Sequence, residues 1–318
     1  MAGRPPPPGA IATGTDRAVL GGPVVPAPSA VHDARVSGGV GMVLSATLLI
    51  QLSTALATTT FDVFGTFGTG ALRIATAAAI LLAVVRPRLR GRTARDWTAI
   101  GLMGTALTAM SLGLYSAIER IPLGSAMAIM FAGPLSVAVL ASRRRLDLLW
   151  VVLAAIGIVL VTHAVPSGSV AGVGFALAAA GAWAVYLRCS ANVGGRFDGF
   201  DGLALAIGFG AVVTAPVALG AAFSPGARPT DFAVVGLLAV VGFALPFALE
   251  FAALRRVGVR VVGVLLSLDP AVAALVGLVV LGQRLDAWQV VGVGLVTAAS
   301  YGAVRGARGT APRPGPPS

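Results

Sequence analysis

The run "LLSLDPAVAALVG", Leu265–Gly277, is apolar except for a serine and, at its middle, a carboxylate and a proline. An ionised side chain in apolar surroundings needs water or a partner. Proline removes a helical donor and clashes with the preceding turn. The first half of the chain holds a counterpart: "IMFAGPLSVAVLA", Ile129–Ala141, carries Pro134 at the position that Pro270 occupies in the later run. Arg120 precedes Pro134 by the same interval as Arg256 precedes Pro270. "RRLD" then answers "QRLD" after a three-residue gap, and each leads into another apolar run with a tryptophan, Trp150 or Trp288, near its start. The likeness is ordered along the chain and marks an internal repeat.

Outward from these two stretches, ten apolar segments fill the chain: 38–58, 65–85, 97–117, 122–142, 147–165, 171–188, 202–223, 232–252, 261–281 and 287–305. Each approaches the roughly 20 residues that a spanning helix needs. Of the 318 residues, 57% are hydrophobic and 11% charged, against about 25% charged in a soluble domain. The sequence predicts an all-α membrane protein of ten transmembrane helices, arranged as two five-helix repeats over 38–165 and 171–305. An odd number of spans per repeat inserts the second copy upside down, a pattern found in many secondary transporters. The Pro-, Gly- and Ala-rich ends, 1–37 and 306–318, read as disordered tails; prolines interrupt any helix there.

The 23 basic residues are all arginine. With the heavy Ala, Gly and Val content, this usage fits a bacterial genome of high G+C content. Nineteen arginines fall in the two tails and in the loops after even-numbered segments, three (Arg120, Arg228, Arg284) in loops after odd-numbered ones, and Arg73 lies inside segment 2. The positive-inside rule then puts both termini in the cytoplasm of a bacterial inner membrane. The net charge of +11 follows those short loops rather than a basic face with interleaved aromatics, so no nucleic-acid partner is expected. One cysteine, Cys189, excludes an internal disulfide, and His32 and His163 lie too far apart to suggest a metal site. No cofactor is expected. A membrane-embedded enzyme would need converging nucleophile, base or metal ligands, and no Asp-rich motif, His pair or Ser-His arrangement occurs.

The stretches "QLSTALATTTFDVFGTFGTGALR", "IERIPLGSAMAIMFAGPLSVAVLASRR", "GAWAVYL", "ALPFALEFAALRRV" and "GVLLSLDPAVAALVGLVVLGQRL" together resemble the threonine/homoserine exporter branch of the EamA-type drug/metabolite transporters. The likeness runs over residues 40 to 305 and is most specific from Pro246 to Arg284. It implies export of small metabolites such as threonine and homoserine by alternating access, with proton coupling. A drug or hydrophobic-compound carrier, or a channel, on the same fold is the alternative. The chain departs from the family pattern at three places. Thr58 stands where a lysine is frequent, Met130 where a glutamate precedes "F-x-G-P-L", and Asp269-Pro270 replaces Glu-Pro. If the lysine and glutamate pair in relatives, losing both together avoids leaving one buried charge alone.

Ionisable groups within spans are costly and mark pathways or partners. Asp269, near mid-depth of segment 9, is either a helix cap ahead of Pro270 or an acceptor for a proton or a substrate amine. Arg73 is either a fork for a substrate carboxylate or a structural group, paired with Asp269 or Asp62 or snorkelling to the interface. Glu250 is either an interfacial partner of Arg255 and Arg256 or part of a proton relay. Glu119 and Arg120 read as an interfacial pair. Pro134 and Pro270 are expected to break their helices at a cavity, with Met130, Thr58, Trp183 and Tyr186 as lining positions. Trp97, Trp150 and Trp288 read as interface anchors, and glycines such as Gly157 and Gly292 as helix-packing positions.

Overall fold

The computed structural model describes residues 28–141, 145–163, 169–194, 196–197 and 200–306, and every regular element among them is helical. Helix α1, Pro28–Ala57, begins inside the stretch that the sequence assigns to the tail. A proline in the first turn loses only a donor that has no helical partner anyway. A 3₁₀ turn, Thr58–Thr60, links α1 to α2, Phe61–Val85. The three threonine hydroxyls donate to the carbonyls of Ala55, Leu56 and Ala57, at 2.7, 2.7 and 2.8 Å. Such local bonds compete with regular helix. Gly65, at φ 68° and ψ 169°, then kinks α2 in a conformation that only glycine adopts freely. Helix α3, Ala94–Ile118, starts at a capping box in which Thr93 and Asp96 satisfy each other's backbone donors.

Segment 4 is two helices, α4 Leu123–Met130 and α5 Ala132–Ala141, parted at Phe131. There follow α6 Arg145–His163, α7 Val170–Gly194, α8 Asp201–Ala222 and α9 Pro229–Ala239. A π-helical turn, Val240–Ala244, carries α9 into α10, Leu245–Leu266. A second break at Ser267 and Leu268 precedes α11, Asp269–Val280, and α12 is Ala287–Gly306. Both breaks begin three residues before a proline, at Phe131 and at Ser267. Proline supplies no N–H to the carbonyl four residues back, so Met130 and Leu266 lose their usual acceptor role.

One boundary is corrected. "RRVGVR", read as a loop after segment 8, is helical within α10; with a single glycine and no proline, nothing in it forces the backbone out of helical geometry. The chain nevertheless returns along α1 between Val257 and Asp269. Leu238 lies opposite Ser53 of α1 and Val257 opposite Gly39, after which Asp269 returns to lie beside Thr47.

Five apolar helical stretches among the described residues are long enough to cross a bilayer: Ser37–Val85, Ala94–Ile118, Val170–Ser190, Asp201–Ala222 and Val261–Val280. Shorter apolar helices cover Leu123–Val137, Leu148–Thr162 and Pro229–Phe243. Large apolar side chains such as Phe223, Val212 and Val279 face outward, while Thr47, Gln51 and Arg73 are buried. That distribution suits lipid as the surrounding solvent, and the protein is an integral membrane protein. Helix α3 packs on α7, α2 on α8, α1 on α10, α4 on α11 and α6 on α12. The last pair meets backbone to backbone. A Cβ on Gly157 would lie 2.8 Å from the Gly292 carbonyl oxygen, and one on Gly292 would lie 2.5 Å from that of Gly157. The short α4, from Leu123 to Met130, is buried along its whole length at the centre of the main core.

Candidate functional site

Between α1, α2, α3, α4, α7 and the broken α9–α11 arm lies a cavity of about 320 Å³. Six residues singled out from the sequence line it: Arg73, Met130, Trp183, Tyr186, Glu250 and Asp269. They come from five helices, so the cavity exists only in the folded chain.

Arg73 projects from α2 and is 1% exposed. Its Nη1 donates to the Tyr115 hydroxyl, and its Nη2 to Ser53 Oγ at 2.7 Å and to the Leu238 carbonyl oxygen at 3.1 Å. Ser53 Oγ itself donates to the same carbonyl, at 2.8 Å. The guanidinium lies 5.3 Å from the Tyr115 ring centre and 5.8 Å from that of Phe243, within cation–π range. The structural alternatives from the sequence do not hold as stated. Among the described residues the ion pairs are Arg92–Asp201, Arg196–Asp96 and Glu119–Arg120, so Arg73 is paired with neither Asp62 nor Asp269. Buried as it is, it does not snorkel either. Neutral oxygens and aromatic faces hold it, its Nε has no hydrogen-bond partner, and among the described residues no carboxylate forms an ion pair with it.

The place for Arg73 is made by the π-helical turn. A Cβ on Gly242 would collide with both Arg73 Nη2 and Ser53 Oγ, so the arginine fits because position 242 has no side chain. Extra-residue turns of this kind are frequent at functional sites.

The acidic side of the cavity is built by Asp269 and Glu250. Asp269 is the first residue of α11; Leu268 occupies the cap position and makes no capping bond. Asp269 Oδ1 is buried and has Thr47 Oγ1, also buried, as its neighbour. Glu250 faces the cavity rather than the membrane surface. Arg256, expected as its partner, reaches Met42 Sδ at 2.9 Å instead, because the helical path of α10 turns it towards α1. The side chain of Arg255 lies outside the described residues.

Both helix breaks open at this cavity, since Met130 and Leu266, the last residues before each break, line it. Trp183 packs edge-on to Phe131 at 5.2 Å between ring centres and so braces the first break. Pro134 and Pro270 stand one turn back and act through the breaks. Thr58 stays outside the lining: its helix has tightened into the 3₁₀ turn and its hydroxyl is spent on Ala55. Glu119 and Arg120 form the expected pair outside the cavity lining, and Arg120 also donates to the Ser116 carbonyl at 2.6 Å. Trp97 and Trp288 are exposed, whereas Trp150 packs under Gly302.

Sequence reasoning did not find Gln51, Ser53, Thr54, Tyr115 or Gly242. A helical stripe of polar residues in an apolar segment, Thr47–Gln51–Thr54, was the available signal for α1. Nothing in the sequence marks the Leu238 carbonyl or the π-helical turn.

Residues 170–305 match the EamA-like transporter family. The threonine/homoserine exporter RhtA of Escherichia coli (strain K12) is 34% identical over 271 residues, which are 82% of this chain and 89% of that protein. The threonine/homoserine exporter RhtA of Salmonella typhimurium (strain LT2) is 34% identical over 263 residues, 80% of this chain and 86% of its own length. A solved crystal structure of a protein at 21% identity superposes with a TM-score of 0.55, covering 86% of this chain and 99% of its own, and shares the fold.

Proposed function

Because this chain belongs to the EamA-like transporter family, we propose that it is a secondary carrier that exports small amino acids such as threonine and homoserine by alternating access coupled to protons. One observation carries the reading. The cavity is lined by one guanidinium that has no ion pair among the described residues and by two carboxylates. An amino acid brings the matching carboxylate and ammonium. The Arg73 fork receives the substrate carboxylate, and Asp269 with Glu250 receives the ammonium or a proton, so that either one offsets a single negative charge of the acidic pair.

The fold reading is ten spans in two inverted repeats, 38–165 and 171–305, with cytoplasmic tails at 1–37 and 306–318 and an inner-membrane location. The helix pairings support it. Exchanging the two halves maps the α1–α10 pair onto α7–α3 and leaves α2–α8, α4–α11 and α6–α12 as their own counterparts. The reciprocal Gly157–Gly292 contact sits where such an axis would pass. Rocking one half against the other about this contact opens the cavity to each side in turn.

A second reading, export of hydrophobic compounds, is favoured by the apolar part of the wall, where Met110, Met127, Met130 and Trp183 stand together. Inside-out vesicles separate the two. Accumulation of threonine or homoserine under an imposed proton gradient, and not without it, supports amino-acid export. Accumulation of hydrophobic cations alone replaces it with the second reading.

A further inference from the structure

Gln51 has no role in the charge arrangement described above. It lines the cavity from α1, its residue is 1% exposed, and neither Oε1 nor Nε2 has a hydrogen-bond partner. Its neighbours on the same helix face do not share this state for the same reason. Thr54 satisfies its hydroxyl on its own helix, at the Ile50 carbonyl, 2.8 Å away, and Thr47 stands beside Asp269. A position used only for packing in an apolar helix would take Leu or Met and avoid burying an open amide.

We propose that Gln51 is the residue that reads the hydroxyl of the substrate side chain. The assignment rests on the amino-acid reading and adds a specificity determinant to it. An amide offers one donor group and one acceptor. A carboxylate can use only the donor and an ammonium only the acceptor, which would leave the other half open. A hydroxyl uses both through one oxygen. The position agrees with this division of labour. On α1, Gln51 lies between Thr47, beside Asp269, and Ser53, which holds Arg73. The two charged groups of the substrate are thus taken on either side, and its side chain is left facing the amide.

A site built to hydrogen-bond a hydroxyl rejects the analogue that lacks it far more strongly than an apolar pocket rejects a change of one methyl. The test is counterflow in vesicles with threonine against valine, and homoserine against norvaline, for the parent, Gln51→Met and Gln51→Asn. The parent should prefer each hydroxylated member. Gln51→Met should lose that preference by about tenfold or more, the ratio of threonine to valine transport falling towards one. A fall in threonine and valine transport by the same factor, or an unchanged ratio, overturns the assignment. If Gln51→Met does not reach the membrane, Gln51→Asn decides. Withdrawing the amide by one methylene should shift preference from threonine towards homoserine, and an unchanged ratio of the two overturns the assignment. A parent that carries valine as well as threonine overturns it while leaving amino-acid export standing. A parent that carries no amino acid overturns both.

Discussion

Gly133 and Asp269 hold the same place, each one residue before the proline of a broken helix. At Gly133 a Cβ would collide with the carbonyl oxygen of Ala180, so α5 sits directly on the backbone of α7. At Asp269 the equivalent position opens into the cavity and presents a carboxylate. The break is common to both helices and the acid belongs to one. A scaffold with two equivalent halves offers two equivalent sides to whatever enters between them. In the proposed reading a molecule with unlike ends is held by unequally placed charges, which Asp269, Glu250 and Arg73 supply.

Gly133→Asp breaks the comparison most severely. It forces a side chain and a charge into a backbone contact, and folded protein in the membrane should fall to background, as read by fluorescence-detected gel filtration in detergent. Overpacking alone costs about 1–3 kcal/mol, before any charge is buried. Normal yield would mean that the two positions are not distinguished by packing. Next comes Arg73→Lys. A single ammonium cannot reach Tyr115, Ser53 and the Leu238 carbonyl together as the guanidinium fork does. Losing one side of a buried charged contact costs roughly 2 kcal/mol or more, so KM for threonine should rise about 30-fold with a smaller change in maximal rate. An unchanged KM would remove Arg73 from the substrate carboxylate.

Gly242→Ala sharpens the same point without touching a charge. The added methyl displaces Arg73 Nη2 and Ser53 Oγ, and KM should rise less than in Arg73→Lys. A measured KM equal to the parent's would show that the arginine does not need the vacancy that glycine leaves. Glu119→Gln should do least. The Glu119–Arg120 pair is exposed, and such pairs contribute about 1 kcal/mol or less. Transport should stay within twofold of the parent, and a large loss would place this pair on the substrate path.

Much of this difference was legible before any coordinates. Asp269, Arg73 and Glu250 are conspicuous because an ionisable residue in an apolar run is expensive wherever it points. The two breaks are legible because proline acts through its own backbone. Partners were harder to read. Glu250 looked interfacial because Arg255 and Arg256 follow closely, but nearness in sequence does not put residues on one helix face. Arg73 was given acids as partners because only side chains can be read from a sequence, whereas part of its shell is the Leu238 carbonyl, exposed to it beside a π-helical turn. The family position of Thr58 points to the cavity, whereas its hydroxyl, in a run of three threonines, turns back on its own helix.

The central claim is that Asp269 is the acid through which the cavity is coupled to its driving gradient. Its most direct test is gradient-driven accumulation of threonine in inside-out vesicles, comparing Asp269→Asn with the parent at equal amounts of inserted protein. The near-isosteric amide keeps the helix break, so the account predicts normal insertion with accumulation lost. Accumulation at the parent level would contradict it and leave Asp269 as part of the architecture that Gly133 already provides without a charge.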